Sequence, residues 1–167
     1  MKTQEEIKPL DNGYSNQIVD LILPIQQEEF NVAITVNDQP DLLDIETYYQ
    51  QPGGNFWGAF SQNELVGTIA LIAIGHQAGA IRKMFVKKEF RGKEKSIAQH
   101  LLNQLIAYCE AKNMTDIYLG TIAQMNAAQR FYERNGFQQI EADELPSYFP
   151  RMQVDNLFYH LHLKKQA

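Results

Sequence analysis

The 167-residue sequence predicts an α/β (α+β) fold: a single domain over residues 1–167, with helices around one central sheet. Three observations predict it. Between Asn55 and Val86, three strand-like runs follow one another with only short, turn-rich connections, the pattern of an antiparallel meander. A helical stripe over about Ser96–Lys112 comes next. Strand and helix patterns then alternate to the C-terminus, and the length suits one hydrophobic core.

Taken in order, Tyr14–Phe30 carries Ile18, Leu21, Ile22, Ile25 and Phe30 at helical spacing, with Pro24 expected to end or kink the helix near Leu23. Asp41–Gln50 reads as a shorter helix, and Gln51-Pro52-Gly53-Gly54 as a turn. Strands are expected at Asn55–Phe60, Glu64–Ile74 and Ala80–Val86, joined through Ser61-Gln62-Asn63 and Gly75–Gly79. In the long helix, Ile97, Leu101 and Leu105 form one row and Ala98, Leu102, Ile106 and Cys109 a second, with Asn113 as the stop. A strand at Asp116–Thr121 and a helix at Asn126–Asn135 follow. Phe137 opens a further strand, and Val154–Leu163 alternates as the last.

Composition narrows the function. A net charge of −5 argues against nucleic acid as the main partner, since phosphate contacts need a basic face. No apolar run approaches the roughly 20 residues of a membrane span, so no membrane partner is expected. The polar start Met1–Glu6 lacks the apolar core of a signal peptide, and the single cysteine, Cys109, has no internal partner. A cytoplasmic location is the expectation. Exposed strands leave a homodimer open.

The charge is uneven, however. Between Lys87 and Lys95, the cations Lys87, Lys88, Arg91, Lys93 and Lys95 face only Glu89 and Glu94. This basic loop lies between a strand and a helix start, where unpaired backbone N–H groups and the helix dipole favour an anion. Gly92 lets the backbone approach a ligand closely. The combination suits a pyrophosphate. It is not a Walker loop, because the Gly-Lys-Ser/Thr ending is missing.

Here the chain resembles the GNAT acetyltransferase superfamily. That family's pyrophosphate loop reads Gln/Arg-x-x-Gly-x-Gly/Ala; Arg91 stands at its first position and Val86 at the hydrophobic position five residues upstream. A second stretch is similar to the family's Asn-x-x-Ala…Tyr-Glu-Lys/Arg-x-Gly-Phe: Asn126, Ala127, Ala128, Phe131, Tyr132, Glu133, Arg134, Asn135, Gly136 and Phe137. Glu94 and Ser96 depart from the loop pattern, standing where the family has glycine and Gly/Ala. The resemblance covers about residues 55–163 and implies a central mixed, mostly antiparallel twisted sheet flanked by helices.

It also implies a function: direct transfer of acetyl from acetyl-CoA to a primary amine of a small molecule or peptide. Met84, Phe85 and Val86 then match the strand beside the pantetheine arm, and Arg91, Gly92, Lys93, Glu94, Lys95 and Ser96 the pyrophosphate loop. The N–H of Val86 matches the donor facing the thioester carbonyl, a contact typically worth a factor of about 10²–10³ in rate. Tyr132 matches the residue that protonates the departing thiolate, since a thiolate expelled into a dry site needs a nearby donor. Asn126 matches a contact to the pantetheine. No general base is visible, because Arg82 and Lys83 stand on the fourth strand where some members place a glutamate. Glu28, Glu29 and His76 are the remaining candidates, and Pro146–Arg151 a candidate wall for the acceptor. His160 and His162 have a metal-compatible spacing but no evident third ligand, so no metal is expected. Glu94 and the missing base favour the alternative, a non-catalytic or regulatory acyl-CoA-binding domain of the same fold.

Overall fold

The computed structural model describes residues 5–92, 96–122, 126–152 and 155–163. Seven strands follow the sheet order β1-β2-β3-β4-β5-β7-β6: β1 (Glu5–Pro9), β2 (Asn55–Ser61), β3 (Glu64–Gly75), β4 (Ala78–Val86), β5 (Asp116–Thr121), β6 (Gln138–Ile140) and β7 (Leu157–His162). The helices are α1 (Ser15–Pro24), α2 (Ile97–Ala111) and α3 (Asn126–Arg134). The sheet is mixed: β4 pairs with β5 in parallel, whereas β1 with β2, β2 with β3, β5 with β7 and β6 with β7 are antiparallel. Residue contacts group the chain into two compact units, up to Ile72 together with Arg82–Ala107, and Ala73–Ile81 together with the chain from Tyr108 onward.

In the first unit, the buried side chains of α1 (Ile18, Leu21, Ile22) join Leu10, Leu42, Ile45, Tyr49, Phe56, Phe60 and Leu65 in one core. Pro24 is the last residue of α1, and the chain continues as a turn of π-helix, Ile25–Glu29. The helix expected at Asp41–Gln50 is instead a 3₁₀ turn, Pro40–Leu43, and a π turn, Glu46–Gln50. β1 is an element the sequence pattern does not announce. Its residues Glu5-Glu6-Ile7-Lys8-Pro9 pair with Ser61 to Trp57 at the sheet edge, where proline is tolerated because its missing N–H can face away from the ladder.

Both predicted hairpins form with two-residue turns. Gln62 and Asn63, then His76 and Gln77, all have positive φ, as a type I′ turn requires. The stripe of α2 is buried as expected at Ile97, Leu101, Leu102, Leu105 and Cys109. Asn113 stops that helix at φ 61°, and the N–H of Met114 reaches the carbonyl of Cys109 at 2.9 Å in the Schellman manner. In the second unit, Ala80, Phe149 and Phe158 centre a smaller core. The last strand is shorter than expected, starting at Leu157.

Candidate active site

β4 carries the first group of candidate residues. Lys83 within it has a left-handed φ of 53°, uncommon for a side chain inside a strand, just before Met84, Phe85 and Val86. The strand is held on its neighbour by the Thr68 hydroxyl, which donates to the Lys83 carbonyl at 2.7 Å. The Lys87 N–H likewise donates to the Val66 carbonyl at 2.8 Å. Val86 is buried; Met84 and Phe85 are partly so. A 3₁₀ turn, Lys88–Phe90, then leads into the basic loop.

Arg91 is the anchor of that loop. Its Nε donates to the Val86 carbonyl at 2.8 Å, and its Nη2 to Glu29 Oε2 at 2.8 Å, while Nη1 pairs with the other oxygen of the same carboxylate. The guanidinium is thus matched by a bidentate carboxylate. It holds the Glu29 carboxyl below its ordinary range, so Glu29 stays ionised and paired rather than free to accept a proton. Gly92 follows at φ 117°, and a Cβ there would meet nothing within 4 Å, which leaves open space beside the backbone. Lys93, Glu94 and Lys95 lie outside the described residues. Ser96, at φ 56°, occupies a left-handed conformation that glycine adopts without strain. The His100 N–H donates to its carbonyl at 3.0 Å as α2 begins. An open glycine ahead of a fifteen-residue helix start fits a phosphate-bearing group.

A buried polar chain in the same unit was not legible in the sequence. Lys83 Nζ donates to Gln39 Oε1 at 2.5 Å and lies 3.7 Å from Asp41 Oδ2, which accepts from the Tyr49 hydroxyl at 2.5 Å. Gln39 and Gln26 exchange two amide bonds of 2.9 and 3.0 Å. Burial pushes the Lys83 ammonium below its ordinary value, with Asp41 acting the other way. The signal was split between β4 and an irregular stretch that has no period.

In the second unit, Asn126 is the first residue of α3 and is exposed, whereas Tyr132 is only 5% exposed. The Tyr132 ring sits edge-on to Phe131 at 5.5 Å and Phe137 at 5.4 Å, with Tyr159 at 6.2 Å. Burial pushes its phenol well above the ordinary value of 10.0, so it is held protonated. The helix closes as the motif predicts: Gly136 has φ 89° and the Phe137 N–H reaches the Tyr132 carbonyl at 3.1 Å. The Tyr159 hydroxyl donates to Glu133 Oε2 at 2.9 Å, tying α3 to β7.

Other candidates have structural occupations. His76 stacks on Tyr148 at 4.0 Å, and Phe149 of the proposed acceptor wall is a core residue. The Cys109 thiol is fully buried and pushed up to about 12 by that burial, a packed group rather than a nucleophile. Among the described residues no helix is long and apolar enough to cross a membrane.

Known proteins resolve the family. The acetyltransferase (GNAT) family model matches residues 19–137, a span that takes in both the basic loop and Tyr132. An N-acetylaspartate synthetase of Danio rerio is 34% identical over 126 residues, covering 72% of this chain and 44% of that protein. The match therefore spans less than half of that relative's own length. An acetyltransferase of the GNAT family from Staphylococcus aureus Mu50 superposes with a TM-score of 0.92 at 42% identity, over 96% of this chain and 100% of that one. The fold also matches a PaiA N-acetyltransferase from Thermoplasma acidophilum, solved in complex with coenzyme A, at a TM-score of 0.74 and 19% identity, over 95% and 99% of the two chains. The chain belongs to the acetyltransferase (GNAT) family and is an acyltransferase.

Proposed function

We propose that this chain transfers acetyl from acetyl-CoA directly to the primary amine of a small molecule. The observation that carries the reading is the family match over residues 19–137. Acetyl-CoA supplies an acetyl group already activated as a thioester. The main chain of Met84, Phe85 and Val86 lies along its pantetheine arm, and the Val86 N–H stabilises negative charge developing on the carbonyl oxygen. The loop from Arg91 through Gly92, Lys93, Glu94 and Lys95 to Ser96 holds the pyrophosphate chiefly through backbone N–H groups. Arg91 sets the loop's position through Val86 and Glu29. Asn126 contacts the pantetheine. Tyr132 donates its proton toward the thiolate as the carbon–sulfur bond breaks and the carbon–nitrogen bond forms.

The acceptor follows from a second line of support. Arg82 on β4 is a cation that suits an acceptor bearing a carboxylate better than a polyamine, whereas Lys83 is taken up by Gln39 and Asp41. The N-acetylaspartate synthetases among the relatives bear names that fit this chemistry. An acidic amino acid such as L-aspartate is therefore the first acceptor to test. A thiol-release assay over a panel of amino acids, diamines and short peptides decides: saturable, acceptor-dependent CoA release, fastest with an acidic amino acid, is expected. Release with diamines alone overturns the acceptor class. Acetyl-CoA binding with no release from any amine points to the non-catalytic acyl-CoA-binding domain, favoured by the missing base.

A further inference from the structure

The antiparallel register of β5 and β7 sets Asp116 opposite His162 and Tyr118 opposite His160. His160 and His162, two residues apart, share one face of β7, and Asp116 meets both from the neighbouring strand. His160 Nε2 lies 2.7 Å and His162 Nδ1 3.1 Å from the same oxygen, Asp116 Oδ1. One donor atom from each of the three residues falls within 4.8 Å of the other two. This is the third ligand that the spacing of the two histidines alone did not reveal.

We propose that Asp116 Oδ1, His160 Nε2 and His162 Nδ1 form a site for a divalent transition-metal ion of the zinc type. Two imidazoles and one carboxylate are the donor set such ions prefer, whereas magnesium and calcium seek oxygen alone. A tetrahedral site with bonds of about 2.0–2.1 Å separates its ligand atoms by about 3.3 Å, so the spacings of 2.7 and 3.1 Å from Asp116 Oδ1 to the two rings need to open by only fractions of an ångström, and the ring nitrogens already lie within 4.8 Å of each other. The carboxylate is aimed for this task. The Thr115 hydroxyl donates to its other oxygen, Oδ2, at 2.8 Å, which leaves Oδ1 turned toward the two rings. An outer hydrogen bond of this kind typically fixes a ligand's orientation. The Tyr118 ring stacks on His160 at 4.5 Å and 12°, fixing that ring too.

The backbone beneath is equally restrained: the Thr115 N–H donates to the Gln77 carbonyl at 2.7 Å, and the Leu163 N–H to the Thr115 carbonyl at 2.7 Å. Side-chain exposures of 24% for Asp116, 29% for His160 and 66% for His162 let an ion enter from solvent, and the fourth position goes to water. The bound ion clips the end of β7 to the start of β5. The contrasting outcome is a plain hydrogen-bonded cluster, in which the shared oxygen accepts from both rings and no metal binds.

Calorimetry on the tag-free, EDTA-treated full chain separates the two. Titration with zinc chloride is expected to give one equivalent bound at micromolar or tighter affinity, with magnesium chloride giving no heat. Asp116→Asn and His160→Ala are each expected to weaken zinc at least tenfold. Because His162 is the most exposed of the three, His162→Gln serves as the variant least able to disturb folding, and it too is expected to lose tenfold. Cobalt(II) is expected to bind with the visible absorption of a four-coordinate site. Zinc binding that all three variants leave intact overturns the proposal, as does no zinc binding by the parent chain at millimolar concentration.

Discussion

Tyr132 illustrates how burial selects a role for a side chain. Enclosed by Phe131, Phe137 and Tyr159, the phenol is held protonated, the form that can donate. Tyr132→Phe is therefore expected to lower kcat by about 10²-fold or more while leaving the acetyl-CoA dissociation constant unchanged. The same burial predicts that the parent's kcat shows no fall from phenol ionisation up to about pH 10, the ordinary value that burial pushes it above. Steady-state rates across pH test both. Ser96 carries a different kind of constraint. Its φ of 56° puts a Cβ where the backbone favours none, so Ser96→Gly removes strain of about 1 kcal/mol and lets the loop take the glycine of the family pattern. Denaturant unfolding of that variant is expected to move to a higher midpoint; an unchanged or lower midpoint rejects the strain.

Among the elements, β4, its loop and the π turn after α1 are joined through Arg91. The ion pair with Glu29 joins the loop to the π turn after α1, and the second bond joins it to Val86. Because Glu29's folded value lies below its ordinary 4.5, the pair's stabilisation is full above that value and is lost as pH falls through the depressed one. Glu29→Gln should destabilise the fold at neutral pH by no more than about 1 kcal/mol, the pair being about a third exposed, and the difference from the parent should vanish in strong acid. Thermal melts at several pH values check the sign. This clamp was only half legible in the sequence. Arg91 stood out by its motif position, but Glu29, 62 residues away, carried no sign of being its partner. The strands of the meander and α2 were legible because their apolar periods are long and regular. β1 was not, since Ile7 is the one clearly apolar side chain before its closing proline. The π turns were also hidden, because a few residues of altered pitch leave no period to read. Asp116 joins His160 and His162 only through strand register, which spacing along one strand does not encode.

At the scale of the whole molecule, the fold belongs to a family whose members act on different acceptors, so binding and chemistry need separate tests. Ligand that binds only the native state stabilises it by RT ln(1 + [L]/Kd), about 2.7 kcal/mol at a hundredfold excess over Kd. For a chain of 167 residues, each kcal/mol raises the melting temperature by about 2–4 °C. Saturating acetyl-CoA is thus expected to raise it by about 5–10 °C. Free acetate at the same concentration should have no effect, because it lacks the pyrophosphate and pantetheine assigned to the loop and β4 in the proposed function. Tyr132→Phe should keep the full shift if, as proposed, its phenol acts on the departing sulfur, whereas Gly92→Val should lose most of it. At φ 117° a branched side chain strains the loop and fills the open space beside its backbone. A parent chain that melts at the same temperature with and without acetyl-CoA would refute binding of the thioester. A shift retained by Gly92→Val would instead move the pyrophosphate away from this loop.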